Sequence, residues 1–164
     1  VGIDGDTCQS GLIQTGVFWC VQNGEYSYEA WYEWIPGASI AYDNININAG
    51  DVISVTVTWT SDTSGTVYLV DETNGGNGFI TFTGQTSGTL CGTNAEWIVE
   101  DFEENGGLVP FADFGTVTFT GATAVVGGQT VSASGAEIID LVASDNSVIT
   151  STNIDGTTVT VTYE

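Results

Sequence analysis

Apolar and polar residues alternate with period two along most of this chain, and no stretch of helical period persists. In VISVTVTW (52–59), Ile53, Val55, Val57 and Trp59 point one way, while Ser54, Thr56 and Thr58 point the other. TVTFTG repeats the pattern around Val117 and Phe119, and TTVTVTY around Val159, Val161 and Tyr163. Shorter strand candidates are GLIQTGVFWC, TVYLV, GFITFTG, NAEWIVEDF, LVPFA, EIIDLV and SVIT. Turn signals separate them: Asn23–Gly24, the stretch 71–76, Gly106–Gly107, Gly127–Gly128 and Asp155–Gly156. Two prolines suit closely laddered strands. The pattern predicts an all-β sandwich or barrel. No linker or repeat divides residues 1–164, so a single domain is expected.

Composition narrows the function. The 164 residues include 21 Asp plus Glu and no Lys, Arg or His, for a formal net charge of −21 at pH 7. With 41 % hydrophobic residues, this charge marks an acidic surface on a folded body rather than disorder. Such a surface repels phosphate backbones and anionic lipid, so neither nucleic acid nor membrane is an expected partner. In acid the carboxylates protonate and their mutual repulsion fades, and no large positive charge replaces it. The balance therefore points to an acidic working range.

The missing residue types exclude whole chemistries. Without His there is no Ser–His–Asp or Cys–His arrangement and no histidine zinc site. Without Lys or Arg there is no Schiff base and no cationic phosphate clamp. Acid–base work falls to carboxylates, assisted by amides, hydroxyls and backbone N–H groups.

Four segments carry candidate chemistry. In NAEWIVEDFEEN (94–105), read as a strand, Glu96, Ile98, Glu100 and Phe102 share a face, and a carboxylate among apolar neighbours favours its neutral form. In GLIQTGVFW (11–19), Gln14 lies in an apolar strand, where its amide must find hydrogen bonds or serve as an N–H donor to developing negative charge. In SYEAWYEW (27–34), Glu29, Trp31 and Glu33 share one face, suited to lining a groove for an extended peptide or a sugar, with Tyr28, Ala30, Tyr32 and Trp34 opposite. GIDGDT sets Asp4 and Asp6 two apart, a turn, a support for the site or a fragment of an incomplete calcium loop. Ordinary solvated carboxylates and aromatic core packing remain the plain alternatives for all of these.

Three cysteines make one bridge and leave one thiol, or pair the third with another segment. Cys8 with Cys91 is the expected bridge and Cys20 the odd residue, an arrangement that fits an oxidising, extracellular compartment. No signal peptide is visible, no apolar run is long enough to span a bilayer, and the chain has no Met, as expected of a mature secreted product or a piece of one.

Taken together, GIDGD, LIQTGV, YEAWYEW, TNAEWIVEDFEE, LVPFADFGTVTF and the closing VTVTY resemble, in the same order, the glutamic peptidases of fungi, the eqolisins. The resemblance implies an antiparallel two-sheet β-sandwich of the concanavalin A-like lectin/glucanase type and an acid endopeptidase acting on proteins or peptides, with no metal and no cofactor. By resemblance, Glu96 is the general base and then acid, Gln14 stabilises the oxyanion, Asp4 lies near the active site, and Glu29 and Trp31 line the groove. Two departures stand out: Phe18 follows QTGV where many relatives have Asp, and the segment that precedes VGIDGD in relatives is missing. A sandwich without it exposes strand edges, so the resemblance implies either a non-covalently associated N-terminal light chain or a further stretch of the same chain. The rival readings are a glycoside hydrolase using Glu29 and Glu96 about 5–9 Å apart, and a non-catalytic sandwich that binds carbohydrate or peptide.

Overall fold

In the computed structural model, which describes residues 1–104 and 106–164, strands alternate with tight turns in two units, Val1–Ile98 and Val99–Glu164. The first unit contains β1 (Gly2–Asp4), β2 (Leu12–Gln22), β3 (Glu25–Ile35), β4 (Ile40–Ala41), β5 (Ile53–Ser61), β6 (Ser64–Asp71), β7 (Asn77–Phe82) and β8 (Ala95–Glu96). They form a five-stranded antiparallel sheet ordered β4-β3-β2-β1-β8 and a three-stranded one ordered β5-β6-β7.

The long hairpin β2–β3 is set by its turn. Asn23 and Gly24 both take positive φ, 54° and 82°. A two-residue hairpin turn twisted to match its strands requires this at both central positions. Pairing then runs from Gln22 opposite Glu25 to Leu12 opposite Ile35 without a slip. Odd-numbered residues of β2 face inward with even-numbered residues of β3. Ile13, Trp34, Val67 and Leu90 form one buried cluster, and Ala30, Tyr42, Ile47 and Leu69 another. Because Val67 and Leu69 belong to β6, these clusters join the two sheets face to face, as sandwich packing requires. Burying each large apolar side chain there contributes about 1.5–3 kcal/mol. Tyr42 lies against the backbone of Gly78, where an added Cβ would collide with the ring, and its hydroxyl lies 3.3 Å from Thr15 Oγ1.

The second unit contains β9 (Glu103–Glu104), β10 (Gly107–Leu108), β11 (Thr116–Phe119), β12 (Thr123–Val126), β13 (Gln129–Ser132), β14 (Thr150–Asp155) and β15 (Thr158–Tyr163). β15 is the centre of a three-stranded sheet between β11 and β14, and β12–β13 and β9–β10 are separate two-stranded ladders. Phe111, Phe114 and Tyr163 pack ring against ring with centroids 5.6–6.0 Å apart.

The antiparallel all-β expectation holds, with several local corrections. NAEWIVEDF forms a strand only at Ala95–Glu96, because the β1 ladder opposite it ends at Gly2. The side chains of 98–102 therefore share no sheet face with Glu96, and Asn105, which closes that motif, lies outside the described residues. LVPFA and EIIDLV form no strands beyond Leu108 and a bridge between Val142 and Val148. Ile139 in EIIDLV is exposed, and its adjacent apolar residues define no buried face. Trp59 leaves the alternation of β5 at a bulge. Its ring stacks over Gly92, whose Cβ position lies 3.0 Å away.

Candidate functional site

Register places the site. On β2, Gln14 stands opposite Glu33 of β3 on one side and Gly2 of β1 on the other. Gly2 in turn stands opposite Glu96 of β8. Directly paired residues share a face, so Glu33, Gln14 and Glu96 form one row across four strands, broken only by a glycine. Paired Cα atoms lie about 4.5–5.5 Å apart, which sets the backbones of Gln14 and Glu96 roughly 10 Å apart. A Cβ on Gly2 would come within 3.2 Å of Gln14 Cβ and 3.1 Å of Leu12 Cδ1. Any side chain there would fill the gap between the amide and the carboxyl.

Gln14 is only 3 % exposed, and its Nε2 donates to Glu33 Oε1 at 2.5 Å. Glu96 Oε1 lies 3.3 Å from the Cβ position of Gly5. The positive φ of Gly5, 103°, is one that glycine adopts freely. Burial pushes the Glu96 carboxyl from its ordinary 4.5 up to about 7. The charges of Asp6 and Asp4 push the same way, while the Asp6 backbone N–H and the Val1 amino group pull it down. The direction agrees with the expectation for a carboxylate among apolar neighbours, and burial is its largest cause.

Asp4 binds the backbone of the 91–94 loop. It is 0 % exposed, with φ 71°. Its Oδ2 accepts from the N–H groups of Cys91 (2.7 Å) and Gly92 (2.8 Å), and its Oδ1 from the N–H (2.8 Å) and hydroxyl (3.1 Å) of Thr93. Burial raises its pKa, but the donors of Thr93, Gly92 and Cys91 outweigh that and hold it below 3.8. The 91–94 loop it grips leads directly into β8. The Cys8–Cys91 disulfide, with Cα atoms 6.0 Å apart, fastens the same loop, and Cys20 is the free cysteine.

Trp31 stands opposite Gly16, and its ring lies 3.5 Å from the Cβ position there. Glu29 stands opposite Phe18, further along the same face. Both therefore share the face of Gln14, as the alternation in SYEAWYEW predicts. Thr15 Oγ1, pointing into the core, donates to the Trp31 carbonyl at 2.5 Å and fixes that stretch of β3. Among the described residues no group of three or more His, Cys, Asp or Glu is arranged to hold a metal ion.

The Peptidase A4 family model matches residues 1–163 of this sequence. The chain belongs to the peptidase A4 family. It is 52 % identical over 163 residues to Aspergillopepsin-2 of Aspergillus niger, covering 99 % of this chain and 57 % of that protein. It is 44 % identical over 170 residues to Scytalidopepsin B of Scytalidium lignicola, covering 99 % of this chain and 64 % of that protein. The chain thus spans less than two thirds of the length of either relative. Among solved structures, the aspergilloglutamic peptidase from Aspergillus niger superposes with a TM-score of 0.94 at 51 % identity, over 99 % of this chain and 95 % of that one. Scytalido-glutamic peptidase with a transition state analog inhibitor gives 0.93 at 44 % identity, over 99 % and 81 %. The eqolisin resemblance drawn from motifs is borne out, and the A4 fold is the sandwich-like all-β arrangement it implied.

Two residues of this A4 row carried no assigned role in the sequence. Glu33 was grouped with Glu29 and Trp31, but its pairing with Gln14 was available from the turn. A two-residue turn at 23–24 makes the numbers of opposite residues sum to 47, and 14 and 33 do so. Gly2 offered no signal, because its value is the absence of a side chain.

The raised Glu96 pKa has a consequence for the stability of this A4 domain. A folded value of about 7 against an ordinary 4.5 means that the folded state holds this proton more tightly. The stabilisation is complete below pH 4.5 and is lost as pH rises to 7. Urea midpoints of wild type relative to Glu96→Gln should therefore fall between pH 4.5 and 7 and be level on either side. A constant difference across that window would contradict the burial assigned to Glu96.

Proposed function

We propose that this chain is the catalytic part of a secreted, acid-acting endopeptidase that hydrolyses peptide bonds in proteins. The observation that carries the reading is the juxtaposition of Gln14 and Glu96 across Gly2 on one sheet face. Ionised Glu96 takes a proton from a water held in that gap, and the water oxygen attacks the scissile carbonyl carbon. Gln14 donates an N–H to the oxygen that gains negative charge, and a neutral amide does so at any acidic pH. Glu96, now protonated, gives its proton to the leaving nitrogen as the C–N bond breaks. The proton delivered is the one taken from water, so the cycle starts from the ionised carboxylate. The base form grows scarcer by about tenfold for each unit below 7, a loss partly offset because a desolvated carboxylate is a stronger base. Trp31 and Glu29 line the face along which an extended peptide lies, and Asp4 supports the loop that carries Glu96.

This chain covers 57 % and 64 % of the two relatives. An N-terminal light segment, associated non-covalently, would close strand edges that otherwise stay open. The Cys8–Cys91 bridge suits an extracellular compartment.

The glycoside-hydrolase reading loses support from the register. Glu29 is three strands and four residues away from Glu96. That is roughly 20 Å at the backbone, too far for a carboxylate pair about 5–9 Å apart. The test is hydrolysis of an unfolded protein by the complete enzyme from pH 2 to 9. Cleavage confined to acid is expected, because the chain's many carboxylates ionise and repel one another toward neutral pH. No cleavage at any pH by a folded, complete protein would move the weight to a binding sandwich.

A further inference from the structure

The side-chain amide of Gln14 has an orientation problem that the peptidase reading leaves open. Its two ends are nearly identical in shape, but only the NH₂ end can stabilise an oxyanion, and a flipped amide would present a lone pair to developing negative charge. Burial alone does not choose between the two ends.

We propose that Glu33 is the positioning residue for Gln14: its carboxylate accepts one N–H of the amide and so turns the other N–H toward the gap over Gly2. Oε1 of Glu33 is an acceptor facing the amide, so it pairs with the NH₂ end and not with the carbonyl end. The contact is made, with Gln14 Nε2 to Glu33 Oε1 at 2.5 Å. It is built into the fold, because the two residues are direct partners in an eleven-residue ladder. An amide has two N–H groups, so holding one leaves one for the substrate. Glu33 itself stays out of the reaction, being three inter-strand steps from Glu96. Those steps amount to roughly 14 Å at the backbone. The carboxylates that act on Glu96 are Asp6 and Asp4.

The inference rests on the peptidase reading and makes separate demands. In the complete enzyme, Glu33→Ala should lower kcat about 10–100-fold with KM within about twofold, as expected when a transition-state donor is misdirected. Glu33→Gln, whose Oε1 accepts the same N–H, should recover much of that loss. The upper pH limb of activity should stay where wild type has it in both variants. In protein labelled with ¹⁵N-glutamine, the Gln14 NH₂ signals, assigned by their loss in Gln14→Glu, should move toward those of solvated glutamines in Glu33→Ala and stay nearly unmoved in Glu33→Gln. Wild-type kcat in a folded Glu33→Ala variant, or unmoved Gln14 signals, would overturn the assignment. If the wild type itself cleaves nothing, the peptidase reading fails and the amide signals alone decide whether Glu33 holds Gln14.

Discussion

Glu96→Gln should abolish peptide cleavage, lowering kcat by ~10⁴-fold or more while KM stays within a few-fold of wild type. The proposed cycle uses one carboxyl twice, first to receive a proton from water and then to deliver it to nitrogen. A glutamine of the same shape can do neither, so the two losses fall together. The substitution also removes a buried ionisable group. The variant should therefore be at least as stable as wild type above pH 7, where the native carboxylate is charged and poorly solvated. This pairing of an inactive enzyme with undiminished stability separates catalysis from folding. Single-turnover cleavage of a peptide, read beside urea denaturation, measures both. A variant retaining more than about a tenth of the wild-type rate would mean that another group handles the protons.

Asp4→Asn is the counterpart, expected to act through structure. An asparagine offers one acceptor oxygen where the carboxylate offers two, and its NH₂ would face backbone N–H groups of the 91–94 loop. Buried donors would go unpaired, at a cost of about 3 kcal/mol, or roughly 6–12 °C in Tm for a chain of this size. The pH dependence has the opposite sign from that of Glu96. Asp4 is held below its ordinary 3.8, so its contribution is present above that value and disappears as pH falls through the folded pKa. Thermal melts of wild type should lose stability below about pH 4 more steeply than those of Asp4→Asn. Cleavage should weaken as well, because the gripped loop carries Asn94 directly into Ala95 and Glu96. Unchanged Tm in Asp4→Asn would mean that the disulfide alone fixes the loop.

The legible part of the molecule was the part governed by local rules. Alternation identified β5, β11 and β15, and Asn23–Gly24 fixed a hairpin whose face assignments at Glu29, Trp31 and Glu33 were read correctly. Gln14 and Glu96 were singled out from chemistry and resemblance. Their juxtaposition was not readable, because it depends on a three-residue strand whose glycine pairs with both, 12 and 94 positions away. The same limit hid the role of Asp4, whose partners lie near position 91. Apolar runs such as EIIDLV misled because strand identity there needs a pairing partner, which no local pattern supplies.

The β2–β3 hairpin places Glu29, Trp31, Glu33 and Gln14 by a single sum, and that constrains how the gene can change length. Adding two codons to each arm near the tip leaves every site pair facing as before and lengthens only the exposed end. Adding one codon to a single arm, between Gln14 and Glu33, forces either a bulge or a slip that turns Glu33 toward the core and Trp34 toward solvent. Point changes at the tip are therefore tolerated more readily than an unpaired insertion anywhere along the arms, and viable length variants of this hairpin should differ by matched pairs of residues.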